Sequence, residues 1–199
     1  MANEELRLVA AGQRGDVEAF NQLVRLYEGR VYNLCYRMLS DADAAADATQ
    51  DTFIAAYRNL NRFRGGLFRA WVLRIATNTC YDMLRARQRR PVVSLDAGYE
   101  DEDAGPRLDL PDPAESPDEA VLRRELAQAL ERGIAQLPED QRIVVILSDV
   151  QGLAYDEIAA VTNTNLGTVK SRLSRGRARL RDILRTGELL PSTFRHDDE

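Results

Sequence analysis

Histidine occurs once among these 199 residues, at His196 near the C-terminus, and cysteine twice, at Cys35 and Cys80. Three such residues so far apart offer no zinc-ligand spacing and no His-based catalytic cluster. Both cysteines fall in helical patterns and read as small core residues rather than redox centres. Aromatics are scarce at 7%, against 30% charged residues, a balance that suits a helical protein better than a β-sandwich. Long apolar runs are missing too. The longest, Ile143 to Leu147, is far shorter than the ~20 residues that span a bilayer. The opening MANEELRLVAAGQRGD is charged and has no signal-peptide core, so a cytoplasmic protein without membrane insertion is expected.

What is present is strong helical periodicity and sorted charge. The net charge of −5 argues against a nucleic-acid partner only if it is read over the whole chain. The stretch Tyr155 to Arg185, YDEIAAVTNTNLGTVKSRLSRGRARLRDILR, reads as two helices joined by a tight turn. The first, to Val161, carries Ile158, Ala159 and Val161 as its apolar positions, the small Ala159 suiting a steep helix crossing. Asn163 stands where the chain reverses, and asparagine tolerates the left-handed conformation that a turn needs. In the second helix Val169, Leu173, Gly176, Leu180 and Ile183 make one apolar stripe. Off the stripe sit Lys170, Ser171, Ser174, Arg175, Arg177, Arg179 and Arg181, with Asp182 the only acid before Arg185. A basic helix with small hydroxyl side chains, set behind a short helix and turn, is what major-groove insertion requires. A solvated basic helix on a bundle would not need turn, stripe and basic face to coincide.

The first half is helical throughout. From the cap Asp16, apolar residues recur at three and four: Phe20, Leu23, Val24, Tyr27, Val31, Leu34, Cys35 and Met38. Ser40 and Asp41 open a second helix with Thr49, Phe53, Ala56 and Leu60 facing inward. Asp47, Gln50, Asp51 and Ile54 line its outside. That stripe is either an ordinary solvated face or a docking face for a basic partner surface, and the exposed Ile54 favours docking. The loop NRFRGGL follows, its paired glycines allowing unusual backbone angles. A third helix, FRAWVLRIATNTCYDMLRARQRR, has a core face of Phe68, Val72, Ile75, Ala76, Thr79 and Met83. Trp71, Arg74, Asn78, Tyr81, Arg85 and Gln88 lie opposite. This is a core Trp with a solvated remainder, or a surface where rings stack on unpaired bases and arginines hold phosphates.

Residues 91–117 hold five of the seven prolines, many acids and only Arg107 as a base, which is the composition of a linker. Its acidity serves solubility or competes with nucleic acid for basic surfaces. Ser116, Pro117 and Glu119 then start a helix as a capping box, with Leu122, Leu126, Ala129, Leu130 and Leu137 on its core face. The run Ile143 to Leu147 could be a buried strand on its β-branched content alone. A buried helix is expected there nonetheless, because Pro138 and two acids start helices, Gly152 stops one, and no partner strand exists. The fold class expected is all-α: two small helical domains, 1–90 and 118–186, joined by a flexible acidic linker, with a tail at 187–199. The second domain ends in a helix-turn-helix.

From Asp16 to Arg185 the chain resembles a sigma factor of the extracytoplasmic-function (ECF) group in the sigma-70 family. The resemblance rests on Asp47, Gln50, Asp51 and Phe53 in the second helix, and on RIATNTCYDMLRAR with Arg74, Asn78, Asp82 and Arg85. LPEDQRIVV, QGLAYDEIA and GTVKSRLSRGRARL carry it in the second half. It implies a promoter-specificity subunit, without cofactor or chemistry of its own. Core RNA polymerase would dock on Asp47, Gln50, Asp51, Phe53 and Ile54. The unwound −10 element would meet Arg62, Phe63 and Arg64 of a base-capturing loop, with Trp71, Arg74, Asn78, Tyr81, Asp82 and Arg85. The duplex −35 element would meet Thr168, Lys170, Ser171, Ser174, Arg175 and Arg177. An anti-sigma factor is a further implied partner, and the linker would thread toward the RNA exit path. Asn163 replaces a usual glycine, Asn165 a common proline, and Ser174 a bulkier residue of some members.

Three rivals follow from the residues. A response-regulator type of DNA-binding protein would need an α/β receiver domain, which the helical first half does not offer. An enzyme acting on nucleic acid would need more than the single pair Asp47 and Asp51. A helical adaptor held by a partner overlaps with the sigma reading.

Overall fold

The structure is a computed structural model that describes residues 2–89 and 117–186. The expected linker up to residue 116, the cap Ser116 and the tail 187–199 lie outside the described residues. Within them the chain is all-α: α1 (Ala2–Gln13), α2 (Val17–Leu39), α3 (Ala42–Asn59), a 3₁₀ turn (Leu60–Arg62) and α4 (Phe68–Arg89). Then come α5 (Pro117–Ala135), α6 (Glu139–Val145) with a π-helical continuation (Ile146–Val150), α7 (Tyr155–Thr162) and α8 (Leu166–Thr186).

Local chemistry sets the boundaries. The Asp16 carboxylate accepts from the Ala19 N–H at 3.0 Å and starts α2. Asp41 does the same for α3, accepting from Ala44 at 2.9 Å. Between them Ser40 ends α2 at φ 53°, a left-handed residue with an N–H donated to the Tyr36 carbonyl. Helix α1 precedes the Asp16 cap from which the apolar periodicity starts. Its buried Val9 joins the core, and Tyr27 of α2 donates its hydroxyl to Glu5. Burial and that carboxylate push the Tyr27 phenol far above its usual range.

The first core lies among α2, α3 and α4, with Leu23, Val31, Leu34, Met38, Phe68 and Leu73 fully covered. Cys35 and Cys80 are buried there with their thiols adjacent. The α4 stripe differs from expectation. Leu73, Thr77 and Cys80 join Phe68, Val72 and Ala76 inside, while Ile75, Thr79 and Met83 are only half-buried. The reason is that α4 is covered from two sides: α2 and α3 on one, α7 on the other. In α5, Leu126 is exposed and Ile134 takes the buried place near the C-terminal end.

The Ile143 to Leu147 run is helical and fully buried, as its caps imply. Gly152, at φ 67°, turns the chain out of it. Helix α8 crosses α6 closely at Gly176, where a Cβ would stand 2.9 Å from Val145 Cγ2. The two halves touch. Arg142 of α6 donates to the Met38 carbonyl at 2.8 Å, and Gln151 to that of Arg30 at 3.0 Å.

Candidate nucleic-acid interface and docking face

Helix α8 presents the most strongly charged surface. Asn163 ends α7 in the left-handed region at φ 52°, its N–H donated to the Ala159 carbonyl. Asn165 begins α8 by accepting from the Thr168 N–H at 2.8 Å and its hydroxyl at 3.0 Å. An asparagine in place of proline therefore supplies a side-chain cap, which proline cannot. Glu157 in turn accepts from the Ala154 N–H at 2.7 Å and fixes the start of α7. With Val169, Leu173 and Gly176 buried against α6 and α7, the opposite face of α8 is fixed outward.

On that face Lys170, Ser171, Ser174 and Arg175 are exposed, and Thr168 is half-buried at the helix start. Arg175 folds along the helix to donate to the Ser171 carbonyl at 3.2 Å. Arg177, expected at the −35 duplex, is engaged within the protein in this structure. Its Nε meets Asp149 at 3.0 Å and its Nη2 meets the other carboxylate oxygen at 2.5 Å. That fork is already occupied, and it holds the guanidinium charge more firmly. Arg172, off the stripe, is similarly paired with Asp140 at 3.1 Å. A notch of ≈ 530 Å³ beside α7 is lined by Tyr155, Lys170, Ser174, Arg177 and Arg181.

The second cationic surface is on α4 and the loop before it. Arg74, Asn78, Asp82 and Arg85 are exposed along α4, spanning ~16 Å of helix at 1.5 Å per residue. Arg85 pairs with Asp82 at 3.3 Å, both largely solvated, so the pair holds neither group firmly. Trp71 and Tyr81 are half-buried. Burial pushes the Tyr81 phenol up, and its neighbours Arg172, Glu139 and Asp140 come from the other half of the chain.

In the loop, Arg62 and Arg64 point to solvent but Phe63 is 7% exposed. Its ring packs edge-on to Phe68 at 5.8 Å and to Trp71 at 5.4 Å. Phe63 is expected at the −10 strand; in this structure its ring, flanked in sequence by two arginines, sits in an aromatic pocket and anchors the loop. Gly65 and Gly66 follow at φ 102° and 92°, conformations that a side chain would strain.

On α3, Asp47, Gln50, Asp51 and Ile54 share one solvent-facing stripe. Phe53 is buried, as its inward position required, and its ring edges a groove between α2 and α3. The groove is ≈ 990 Å³ and is lined by Phe20, Val24, Tyr32, Gln50 and Ile54 among others. An open apolar trough beside two exposed carboxylates suits a partner helix with an apolar ridge and basic flanks. Among the described residues no cluster of histidine, cysteine and acidic side chains is arranged to hold a metal ion. None of the described helices is long and apolar enough to cross a membrane.

Two family models match the chain: Sigma-70 region 2 over residues 23–90, and Sigma-70 region 4 over residues 127–180. Among curated relatives, the RNA polymerase sigma-H factor of Pseudomonas aeruginosa is 41% identical over 179 residues, covering 87% of this chain and 90% of that one. The chain belongs to the ECF group of the sigma-70 family. The ECF RNA polymerase sigma factor SigE of Mycolicibacterium smegmatis is 39% identical over 175 residues. That match covers 88% of this chain but 65% of the relative's length. Among solved structures, the sigma factor RpoE of Bartonella quintana, in complex with the anti-sigma factor NepR, superposes with a TM-score of 0.65. It is 27% identical, and the match covers 85% of this chain and 99% of that one.

The region 2 match takes in α3, the loop and α4, and the region 4 match takes in α6 to α8. Both sigma regions thus carry the exposed faces described above. Helix α1 precedes the region 2 match, and the pairing of Arg177 with Asp149 joins residues 28 apart in sequence. Neither had a local signal in the chain.

Proposed function

We propose that this ECF sigma factor confers promoter specificity on RNA polymerase through three separate faces of one chain. The α3 stripe of Asp47, Gln50, Asp51 and Ile54, with the groove that Phe53 edges, takes the core enzyme. The α8 face of Thr168, Lys170, Ser171, Ser174 and Arg175 reads the duplex −35 element. Arg62, Arg64, Arg74, Asn78 and Arg85 hold the unwound −10 strand, with Trp71 and Tyr81 offering part of their rings and Asp82 lying beside Arg85. The observation that carries this reading is that the two sigma-region matches fall on solvent-facing basic faces, and that α3 presents an exposed acidic one.

The energetics explain why the chain needs its enzyme. Unstacking a promoter step costs a few kcal/mol, and stacking one base on an aromatic returns ~1–3 kcal/mol. With Trp71 and Tyr81 only partly available, this surface alone does not balance several opened steps. Polymerase contacts supply the remainder, and the free protein melts nothing. It supplies no chemistry of its own and works in the cytoplasm beside the polymerase. An anti-sigma partner is proposed on the strength of the RpoE–NepR relative.

The test is assembly. Titrating bacterial core polymerase with the labelled chain should give a saturable complex that protects −35 duplex DNA from nuclease. Asp47→Lys should prevent the complex, while Arg175→Ala should assemble normally and lose the protection. A chain that protects specific duplex DNA but never joins core polymerase would sink the proposal.

A further inference from the structure

Helix α1 ends on the loop that this reading assigns to the −10 strand, and Gln13 is the residue that joins them. Its side-chain amide donates to the Leu60 carbonyl at 3.0 Å and to the Phe63 carbonyl at 3.0 Å. The Leu60 carbonyl also accepts from the Phe63 N–H at 3.0 Å, so Gln13 bridges both ends of the 3₁₀ turn. The preceding Gly12 makes the approach possible, since a Cβ there would lie 2.8 Å from Leu60 Cδ2. Helix α1 is in turn fixed to the bundle by buried Val9 and by the contact of Tyr27 with Glu5.

Beyond that seat the loop has little to hold it. A Cβ at Gly65 or at Gly66 would meet nothing within 4 Å. The fixed points are the rings of Phe63 and Phe68, and Phe63 is where the backbone leaves the turn, at φ −68° and ψ 115°. Arg62 and Arg64 flank Phe63 and point to solvent. The direction in which both guanidinium groups leave the scaffold therefore depends on how the Phe63 peptide is held.

We infer that Gln13 is a positioning residue for capture of the unwound −10 strand: its two donors clamp the Leu60 and Phe63 carbonyls and so aim Arg62 and Arg64. The inference rests on the reading of this loop as a −10 element. Gln13 touches no DNA itself and lies outside the part of the chain matched to Sigma-70 region 2.

The test compares Gln13→Glu with Gln13→Lys in the full chain assembled with bacterial core polymerase. Glutamate keeps the size, removes both donors and sets an acceptor against two carbonyls, whereas lysine keeps a donor for them. Three quantities are read: affinity for core polymerase, affinity for a single-stranded oligonucleotide carrying the non-template −10 sequence, and permanganate reactivity of −10 thymines. The promoter is one selected with the wild-type holoenzyme. Gln13→Glu should bind core polymerase within about twofold of wild type and the oligonucleotide about tenfold or more weakly, as expected of ångström-scale misplacement. Its thymine reactivity should fall in parallel, and Gln13→Lys should recover most of both.

Wild-type oligonucleotide binding by Gln13→Glu would overturn the inference. So would equal losses of core and oligonucleotide affinity, because Gln13 would then only hold the domain together. If Gln13→Glu does not fold, Gln13→Lys decides: near-wild-type oligonucleotide binding supports the clamp, and a selective loss despite normal core affinity overturns it. A wild-type holoenzyme that never opens a promoter overturns the loop reading itself, and the inference with it.

Discussion

Arg37 of α2 and Glu131 of α5 form an ion pair at 2.5 Å with the Arg37 side chain only 1% exposed, so a buried charge pair joins the two halves of the chain. Burial pushes the Glu131 carboxyl up, against the pull of the neighbouring guanidinium. Removing one partner leaves the other buried and unmatched. Glu131→Ala should therefore cost about 3–5 kcal/mol, whereas Arg37→Met with Glu131→Leu should recover most of it. Urea unfolding of the three chains reads the difference. Equal stability of the single variant and wild type would show that the pair does not hold the halves together.

Asp41 predicts an acid limb of stability. The Ala44 N–H, and after it Arg87 at 2.8 Å, hold the Asp41 carboxyl below its ordinary range. A depressed folded-state pKa means that stabilisation is fully present above the unfolded value, near pH 4, and is lost as pH falls through the lower folded value. Asp41→Ala should cost about 1 kcal/mol at pH 7 from the lost cap. The gap should narrow only below about pH 4. Unfolding curves between pH 2 and pH 7 test this, and a constant gap would contradict the assignment.

Asn163 tests the turn of the helix-turn-helix. At φ 52° an alanine carries the full left-handed penalty of about 1–2 kcal/mol, and glycine carries none. Asn163→Ala should lower Tm by a few degrees and weaken −35 binding, while Asn163→Gly should equal or exceed wild type in Tm. Calorimetry with a −35 duplex titration separates the two effects.

Arg175 and Arg177 should part company in salt. Arg175 is exposed and, among the described residues, bonds within α8 to Ser171, whereas Arg177 is forked on Asp149. Arg175→Ala should reduce the slope of log affinity against log salt by about 0.9 for −35 duplex binding by the holoenzyme. Arg177→Ala should leave the slope nearly unchanged and lower Tm. A reversal of the two would mean that Asp149 releases Arg177 to the DNA.

Periodicity revealed the helices that bury a single stripe. It was misleading where a helix is covered on two sides, as in α4, because Leu73 and Cys80 then look out of register with Phe68 and Val72. Caps were legible at Asp16, Asp41 and Asn163 because a single side chain or backbone angle makes each of them. Helix α1 lacked that signature: Val9 is its buried apolar side chain, and Gln13 acts on carbonyls 47 and 50 residues away. The inward turn of Phe63 depended on the pocket formed with Phe68 and Trp71, which composition alone does not reveal. Charged faces were the most readable part of the site, since exposed basic residues need no tertiary partner to be located.

The central claim is tested most directly by transcription from a library of promoter fragments with bacterial core polymerase, in the presence and absence of this protein. The account predicts transcripts that appear only with the protein and start downstream of a shared pair of −35 and −10 sequences. Asp47→Lys, at an exposed position of α3, should abolish them without lowering Tm. A transcript set that is the same with and without the protein, from core polymerase shown to accept another sigma factor, would contradict it.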